Sequence, residues 1–214
     1  MEIIYEDKNL VALNKPPGVN FDWALKERSE LLVVHRLDKD TSGIILFAKN
    51  EKTQEYLREL FKAQKIQKSY LALVSGIMKR ESGRIDLSIG RSKRTPLKRV
   101  AVGIKRGKIR EAVTEYKVLK KYGEFTFVEV IPKTGRTHQI RSHFAAIGHP
   151  VVCDKLYSGK RFICPANLKR QFLHAASLEL TLPSDSRIKL EADMPEDLEQ
   201  VLQEISKDDR NSKS

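Results

Sequence analysis

The stretch from residue 35 to residue 49 constrains the fold of this chain more than any other. Residues 44–48 form a continuous apolar run rich in β-branched and aromatic side chains, which predicts a buried strand. The Thr41-Ser42-Gly43 sequence just before it is typical of a turn. Asp38 is therefore predicted to lie in a polar loop at the entrance of a rigid core strand, where catalytic groups are commonly held.

The charges around Asp38 favour its ionised form. Arg36 precedes it by two residues and Lys39 follows it directly, and nearby cations stabilise a carboxylate. An ionised carboxylate could act as a nucleophile or as a base at neutral pH. From this segment alone, a purely structural Arg–Asp pair at the strand entrance is an open alternative.

Positive charge is concentrated in one segment. The chain has a formal net charge of +12, and residues 79–110 contain twelve Lys or Arg but only two acidic residues. A solubilising surface would normally mix both signs. We therefore predict a local surface that binds the phosphates of a polyanion.

The composition also excludes some classes of protein. No segment approaches the roughly 18 consecutive apolar residues that a membrane-spanning helix needs, and the acidic start does not resemble a signal peptide. A cytoplasmic protein is expected. In that reducing compartment Cys153 and Cys164 are predicted to be free thiols rather than a disulfide.

Periodicity predicts an alternation of strands and helices. Strands are expected at residues 3–7, 10–14, 68–76, 84–89, 112–120, 124–131 and 173–180. Helices are expected from Asn50 to about residue 65 and from Pro195 onward.

A third helix is predicted just after the start of the polar stretch at residues 134–143. Ile140, Phe144 and Ile147 recur at the spacing of one buried helical face. Arg141 is turned by about 100° from Ile140, so it can leave that face and reach a neighbouring carboxylate.

These segments carry a family resemblance. His35-Arg36-Leu37-Asp38, two further residues and Thr41-Ser42-Gly43 resemble the signature of the RluA-type pseudouridine synthases, which isomerise uridines in ribosomal or transfer RNA. Residues 15–18, 134–143, 148–157 and 173–180 resemble further blocks of the same family. At position 153 the family usually has glycine, whereas this chain has cysteine.

The resemblance implies an α+β fold with a mixed, mainly antiparallel sheet, flanked by helices and loops around a central active-site cleft. We expect one catalytic domain over residues 1–206 and a disordered tail over residues 207–214. The implied partner is RNA. No cofactor or metal is expected, because the isomerisation involves no net oxidation and needs no supply of energy. A monomer is the default expectation.

The resemblance also implies roles for particular residues. Asp38 corresponds to the catalytic aspartate, and Arg141 to the arginine that pairs with it. Tyr70 would pack against the target base and take part in proton transfer. Arg36 would occupy the space that a flipped base leaves. Whether Asp38 attacks the nucleoside or removes a ribose proton is open.

Further RNA contacts are predicted around these motifs and in the basic segment, at His35, Lys68, Arg136, Lys93, Arg94, Lys98 and Arg99. His138 and His143 lack the spacing of a metal site, so orienting or packing roles are expected for both. The alternatives to the enzyme are a non-catalytic RNA-binding or chaperone protein and a metal-dependent RNA nuclease.

Overall fold

The structure is a computed structural model that describes residues 1–95, 97–102 and 105–211. The chain divides into two compact units. Unit 1 comprises Met1–Ser69 and His174–Met194, and unit 2 comprises Tyr70–Leu173 and Pro195–Ser214. The single catalytic domain over residues 1–206 stays a prediction.

The elements follow one another as β1 Glu2–Glu6, β2 Leu10–Lys15, β3 Leu32–Val33, β4 Ser42–Ala48, α1 Glu51–Lys62, β5 Gln67–Ser75, β6 Ser82–Asp86, β7 Ile89–Ser92, β8 Arg99–Val100, β9 Lys105–Arg110, β10 Val113–Tyr122, β11 Phe125–Pro132, α2 Gln139–Ala146, β12 Leu173–Thr181, β13 Arg187–Glu191 and α3 Glu196–Asn211. Short 3-10 turns lie at Trp23–Lys26, Gly159–Arg161 and Pro165–Asn167. The mixed α+β class predicted from the sequence is confirmed.

Strand β4 is the centre of unit 1. Along one edge it pairs antiparallel with β2. Along the other edge it pairs antiparallel with β3 and parallel with β12. Every residue of β4 is buried, because apolar side chains cover both of its faces. The buried strand predicted at residues 44–48 is therefore confirmed.

Helix α1 covers the core of unit 1. Its predicted cap is confirmed, since the Asn50 side chain accepts a hydrogen bond from the backbone N–H of Thr53 at 2.9 Å. Leu57 is buried in the core, and Tyr56 and Phe61 pack against it. The same core includes Ile44, Leu46 and the other apolar residues of β2, β4, β12 and β13 that are buried there, namely Leu10, Ala12, Ala48, Leu178, Leu180 and Leu190.

Unit 2 contains an antiparallel arrangement in the order β5–β11–β10–β6 and a smaller sheet in the order β8–β7–β9. Helix α2 buries Ile140 and Phe144 in the core of this unit. Gly148 follows the helix with a φ of +84°, the left-handed conformation that commonly ends a helix. The smaller sheet is built from the basic segment at residues 79–110.

Helix α3 corrects the predicted tail. It begins after Pro195, as predicted, but continues to Asn211, so residues 207–211 are helical; residues 212–214 lie outside the described residues. A polar composition does not by itself end a helix that is already anchored, and the buried Leu198, Val201 and Ile205 anchor this one.

The prediction of free thiols is wrong. Cys153 and Cys164 form a disulfide, with Cα atoms 4.7 Å apart. The chain folds back on itself here, and the backbone N–H of Cys153 donates to the carbonyl of Ile163 at 3.1 Å. Neither the composition nor the expected cellular compartment could predict that the two cysteines lie close together, because this depends on the path of the loop between them. Among the described residues, no helix is both long and apolar enough to cross a membrane.

Candidate active site

Asp38 begins a tight turn that leads directly into β4. The backbone N–H of Thr41 donates to the carbonyl of Asp38 at 3.1 Å, and the Asp38 residue is half-buried. As predicted, Asp38 lies in the loop that precedes a buried strand. The turn is therefore attached to a strand that is buried throughout.

A buried lysine holds the backbone beside Asp38. Lys15 is fully buried, and its ammonium donates to the carbonyl oxygens of Pro16 at 2.8 Å, Val19 at 3.0 Å and Lys39 at 2.9 Å. The backbone N–H of Gly18 donates to the same Lys39 carbonyl at 3.0 Å. The turn around residues 15–18 thus restrains the residue next to Asp38, which favours a preorganised carboxylate.

Gly43 allows β12 to approach β4 closely behind this turn. Its φ is +109°, and a Cβ atom there would lie 2.2 Å from the carbonyl oxygen of Ala175. Beside it, the Ser42 hydroxyl shares a hydrogen bond with Nδ1 of His174 at 3.0 Å. Nε2 of His174 donates to the carbonyl of Ala192 at 3.1 Å. Buried polar contacts therefore join β4, β12 and the end of β13.

Arg36 extends from the same loop with an exposed side chain. Its guanidinium carbon lies 5.1 Å from the centroid of the Phe21 ring. A guanidinium over an aromatic face gains a cation–π attraction. Phe21 therefore supports the arginine that is predicted to occupy the space left by a flipped base.

His35 is directed into unit 1. Its Nε2 accepts a hydrogen bond from the backbone N–H of Leu46 at 2.9 Å, and its ring stacks on Phe61 at 4.4 Å. Burial, with a smaller contribution from the charge of Lys68, lowers the pKa of His35 to about 3. These contacts give His35 a packing role in unit 1, and its predicted contact with RNA stays a prediction.

The lowered pKa of His35 predicts a loss of stability in mild acid. Since the pKa of His35 is about 3 in the folded chain and ordinary when unfolded, the unfolded chain binds more protons between those values, and stability falls as pH falls. From pH 7 to pH 5 we expect a loss of about 1–2 kcal/mol through this residue. Urea denaturation at both pH values should show that His35→Gln removes this part of the pH dependence. Equal pH dependence in both proteins would contradict it.

Lys68 and Arg136, two other predicted RNA contacts, differ in their exposure. Lys68, on β5, is buried, so it is not a surface cation available to a phosphate. Nε of Arg136 donates to the carbonyl of Glu111 at 3.1 Å. The sequence predicted neither the burial of Lys68 nor the partner of Arg136, because both depend on how distant segments pack.

Arg141 is held by a carboxylate that the sequence did not single out. Its Nε donates to Oδ2 of Asp154 at 2.6 Å and its Nη2 donates to Oδ1 at 2.9 Å. Asp154 is fully buried, and its Oδ1 also accepts backbone N–H groups of Leu156 and Tyr157. Such a two-point pair fixes both the position and the plane of the guanidinium. The expected pairing of Arg141 with Asp38 joins residues of the two units and stays a prediction.

Cys153, the residue before Asp154, differs from the glycine of the family pattern but has the backbone conformation typical of glycine. Cys153 has a φ of +59°, a left-handed conformation in which glycine is usual. The disulfide to Cys164 closes the loop that follows. The local backbone conformation that glycine would permit is therefore present in this chain with cysteine.

The side chains of α2 also organise the loop before it. Oε1 of Gln139 accepts from the Thr134 hydroxyl at 2.6 Å and from the Arg136 backbone N–H at 3.0 Å. His143 bonds through Nδ1 to the Thr114 hydroxyl and through Nε2 to the Leu87 carbonyl, both at 2.9 Å. Burial lowers the pKa of His143. Its predicted packing role is confirmed.

Tyr70 and the basic residues complete the candidate set in unit 2. Tyr70 lies on β5 opposite Val130 of β11 and packs at the edge of that core. Lys93 and Arg94 are exposed, whereas Lys98 and Arg99 are half-exposed. No group of three or more His, Cys, Asp or Glu side chains within the described part of the chain could hold a metal ion.

Comparison with known proteins agrees with this arrangement. A family model described as RNA pseudouridylate synthase matches residues 9–146. Ribosomal large subunit pseudouridine synthase C of Vibrio vulnificus is 36% identical over 221 residues, covering 95% of this chain and 69% of that protein. The protein of the same name from Escherichia coli is 34% identical over 223 residues, covering 95% of this chain and 69% of that protein.

Solved structures show the same fold. Human RNA Pseudouridylate Synthase Domain Containing 1 superposes with a TM-score of 0.79 and 26% identity, covering 95% of this chain and 94% of that chain. Human RNA Pseudouridylate Synthase Domain Containing 4 gives a TM-score of 0.78 with 25% identity, covering 95% of this chain and 92% of that chain.

Fold and motifs together define an RNA-modifying isomerase. The chain belongs to the RNA pseudouridylate synthase family and is a pseudouridine synthase.

Proposed function

We propose that this pseudouridine synthase modifies a uridine of ribosomal RNA in the cytoplasm, as a monomer without a cofactor, and that Asp38 is its catalytic carboxylate. Support for ribosomal RNA comes from relatives named ribosomal large subunit pseudouridine synthase C and D, at 36% and 34% identity. Transfer RNA was the other substrate class expected from the sequence.

The observation that carries the role of Asp38 is the way its turn is held. The adjacent Lys39 carbonyl accepts hydrogen bonds from both the Lys15 ammonium and the Gly18 backbone N–H. A carboxylate that must meet one atom of a nucleoside benefits from such restraint, because misplacement by about 1 Å can cost a hundredfold in rate.

The reaction requires the base to leave its stack and turn. The enzyme breaks the bond between ribose and the base nitrogen, and the same base rejoins through carbon 5, so atoms and electrons balance within the nucleotide. Extruding a base costs a few kcal/mol. Arg36, whose guanidinium lies over Phe21, is positioned on the Asp38 loop and is proposed to hold the vacated space.

Asp38 then attacks the nucleoside or removes a ribose proton, and both routes need it ionised. Arg141 is proposed to stabilise that ionised form, since a positioned cation favours the charged carboxylate. Tyr70 is proposed to stack on the base and to relay the proton that leaves carbon 5 when the new bond forms.

The basic segment is proposed to bind RNA phosphates. The side chains that carry this proposal are Lys93, Arg94, Lys98 and Arg99. Arg99 lies opposite Arg91 in the small sheet, and like charges at directly opposite positions are unfavourable for folding. A polyanion bound there would relieve that repulsion, which supports a phosphate-binding surface.

Removing these four charges should flatten the salt dependence of RNA binding. Changing Lys93, Arg94, Lys98 and Arg99 to glutamine is expected to lower the slope of log K against log salt by about 3, because each phosphate contact contributes about 0.7–0.9. As a matched control, changing the exposed Lys52, Lys62 and Lys65 to glutamine removes charge elsewhere and should leave the slope nearly unchanged. If the two sets of substitutions changed the slope equally per charge removed, the basic segment would not be part of the RNA interface.

The substrate class is tested by mapping pseudouridines in total RNA from cells with and without the gene. A pseudouridine in large-subunit ribosomal RNA should disappear without the gene and return when it is restored. Loss confined to transfer RNA would overturn the ribosomal assignment and leave the enzymatic class intact.

A further inference from the structure

The side chain of Tyr157 contacts both Arg141 and the basic segment at residues 79–110, which have different proposed roles. It is buried, with 6% of its surface exposed, and it belongs to the loop that the Cys153–Cys164 disulfide closes. Its ring and its hydroxyl contact different partners within unit 2. The ring and the hydroxyl of this one side chain can therefore have separate roles.

The ring contacts Arg141. The guanidinium carbon of Arg141 lies 5.0 Å from the Tyr157 ring centroid, while Asp154 binds the same guanidinium at two nitrogens. Arginine stacks well on aromatic rings because its planar cation is weakly hydrated. The carboxylate fixes the guanidinium from one side, and the ring adds a second, independent restraint on its plane.

The hydroxyl contacts the basic segment. It accepts a hydrogen bond from the backbone N–H of Arg99 at 2.9 Å, and it shares a second one with Nδ1 of His138 at 3.0 Å. The ammonium of Lys98 lies 5.0 Å from the ring centroid. The backbone at the start of β8, from which Lys98 and Arg99 extend, is therefore attached to Tyr157.

We propose that Tyr157 is a positioning residue with two separable parts: its ring orients Arg141 for turnover, and its hydroxyl holds the backbone of Arg99, at the start of β8, in place for RNA binding. This rests on the proposed function, in which Arg141 acts on the catalytic carboxylate and the basic segment binds phosphates. Tyr157 itself touches no reacting atom in this proposal.

The two parts predict a split between kcat and KM. Tyr157→Phe keeps the ring and removes the hydroxyl, so KM should rise about 3- to 10-fold, the usual worth of one hydrogen bond, with kcat nearly unchanged. Tyr157→Leu removes the ring as well, so kcat should also fall, by about 10-fold, the scale of a partly desolvated cation–π contact. Both are measured on the full chain with a transcript that the wild-type enzyme modifies.

A pH profile separates orientation from general damage. If the ring keeps Arg141 aligned with the catalytic carboxylate, Tyr157→Leu should move the acidic limb of the kcat profile to higher pH, because a less well-placed cation stabilises the ionised form less. Tyr157→Phe should not move it. If Tyr157→Leu does not fold, Tyr157→Met, which retains a long apolar side chain, takes its place.

Tyr122 offers a matched control. It is also buried, at 7% exposure, and the ammonium of Lys120 lies 4.6 Å from its ring centroid. Tyr122→Phe and Tyr122→Leu should show neither the split nor the pH shift. If the Tyr157 variants behave like the Tyr122 variants in an active enzyme, the positioning role is overturned alone. A wild-type chain inactive on every RNA would overturn the proposed function and this inference together.

Discussion

Replacing Asp38 with asparagine is expected to lower the rate of pseudouridine formation by about 10⁴-fold or more, as when a catalytic nucleophile is removed from other enzymes. Asparagine has nearly the same size as aspartate, but its amide is neither a nucleophile nor a base at neutral pH. The Kd for RNA should change by less than about threefold, because most of the affinity is expected from phosphate contacts.

The measurement is tritium release from transcripts labelled at carbon 5 of uridine, with RNA binding measured in parallel. Asp40 provides the control, since it lies in the same turn, two residues after Asp38, and Asp40→Asn should release tritium within about tenfold of wild type. Normal release by Asp38→Asn would remove Asp38 from the chemistry. Equal loss in both variants would point to damage of the turn rather than to a catalytic group.

Replacing Gly43 with alanine should cost about 4 kcal/mol or more of stability, or prevent folding, which is the range seen when a core contact cannot be relieved. The added Cβ would lie 2.2 Å from the Ala175 carbonyl oxygen and 2.7 Å from its nitrogen. Both are backbone atoms, so the clash can be relieved only by separating β4 from β12. Urea denaturation of the full chain measures the loss.

Gly18 separates the clash from the cost of the backbone conformation. It also has a positive φ, +83°, but a Cβ there meets no atom within 4 Å. Gly18→Ala should therefore cost only about 1–2 kcal/mol, the usual penalty of a left-handed conformation for a residue with a Cβ. If Gly43→Ala cost no more than Gly18→Ala, the close approach of the two strands would not be the reason for glycine at residue 43.

Much of the fold followed from local pattern. The apolar run at residues 44–48 indicated β4, and Asn50 indicated the start of α1. The recurrence of Ile140 and Phe144 indicated the buried face of α2. These features depend on residues a few positions apart, so periodicity and capping were sufficient to predict them.

The candidate site followed from the sequence only in part. Asp38 was predicted in its loop at the entrance of β4, whereas the partners that hold this loop and the groups around Arg141 were not predicted. Residues 15–18 were recognised as a family block, but the sequence did not show that the Lys15 ammonium binds a carbonyl 24 residues away. The polar pattern around Lys68 likewise did not show that its side chain is buried.

By itself, the sequence determined where most of the strands and the three α-helices form, where positive charge is concentrated and which carboxylate begins the turn into β4, because each depends on neighbouring residues. The strand predicted at residues 84–89 is instead divided between β6 and β7. The tertiary structure alone decided that Asp154 holds Arg141, that the Tyr157 ring contacts both Arg141 and Lys98, and that Cys153 and Cys164 are joined. Such contacts are decided by how loops and strands pack, since the distance between two side chains is set by the path of the folded backbone and not by their spacing along it.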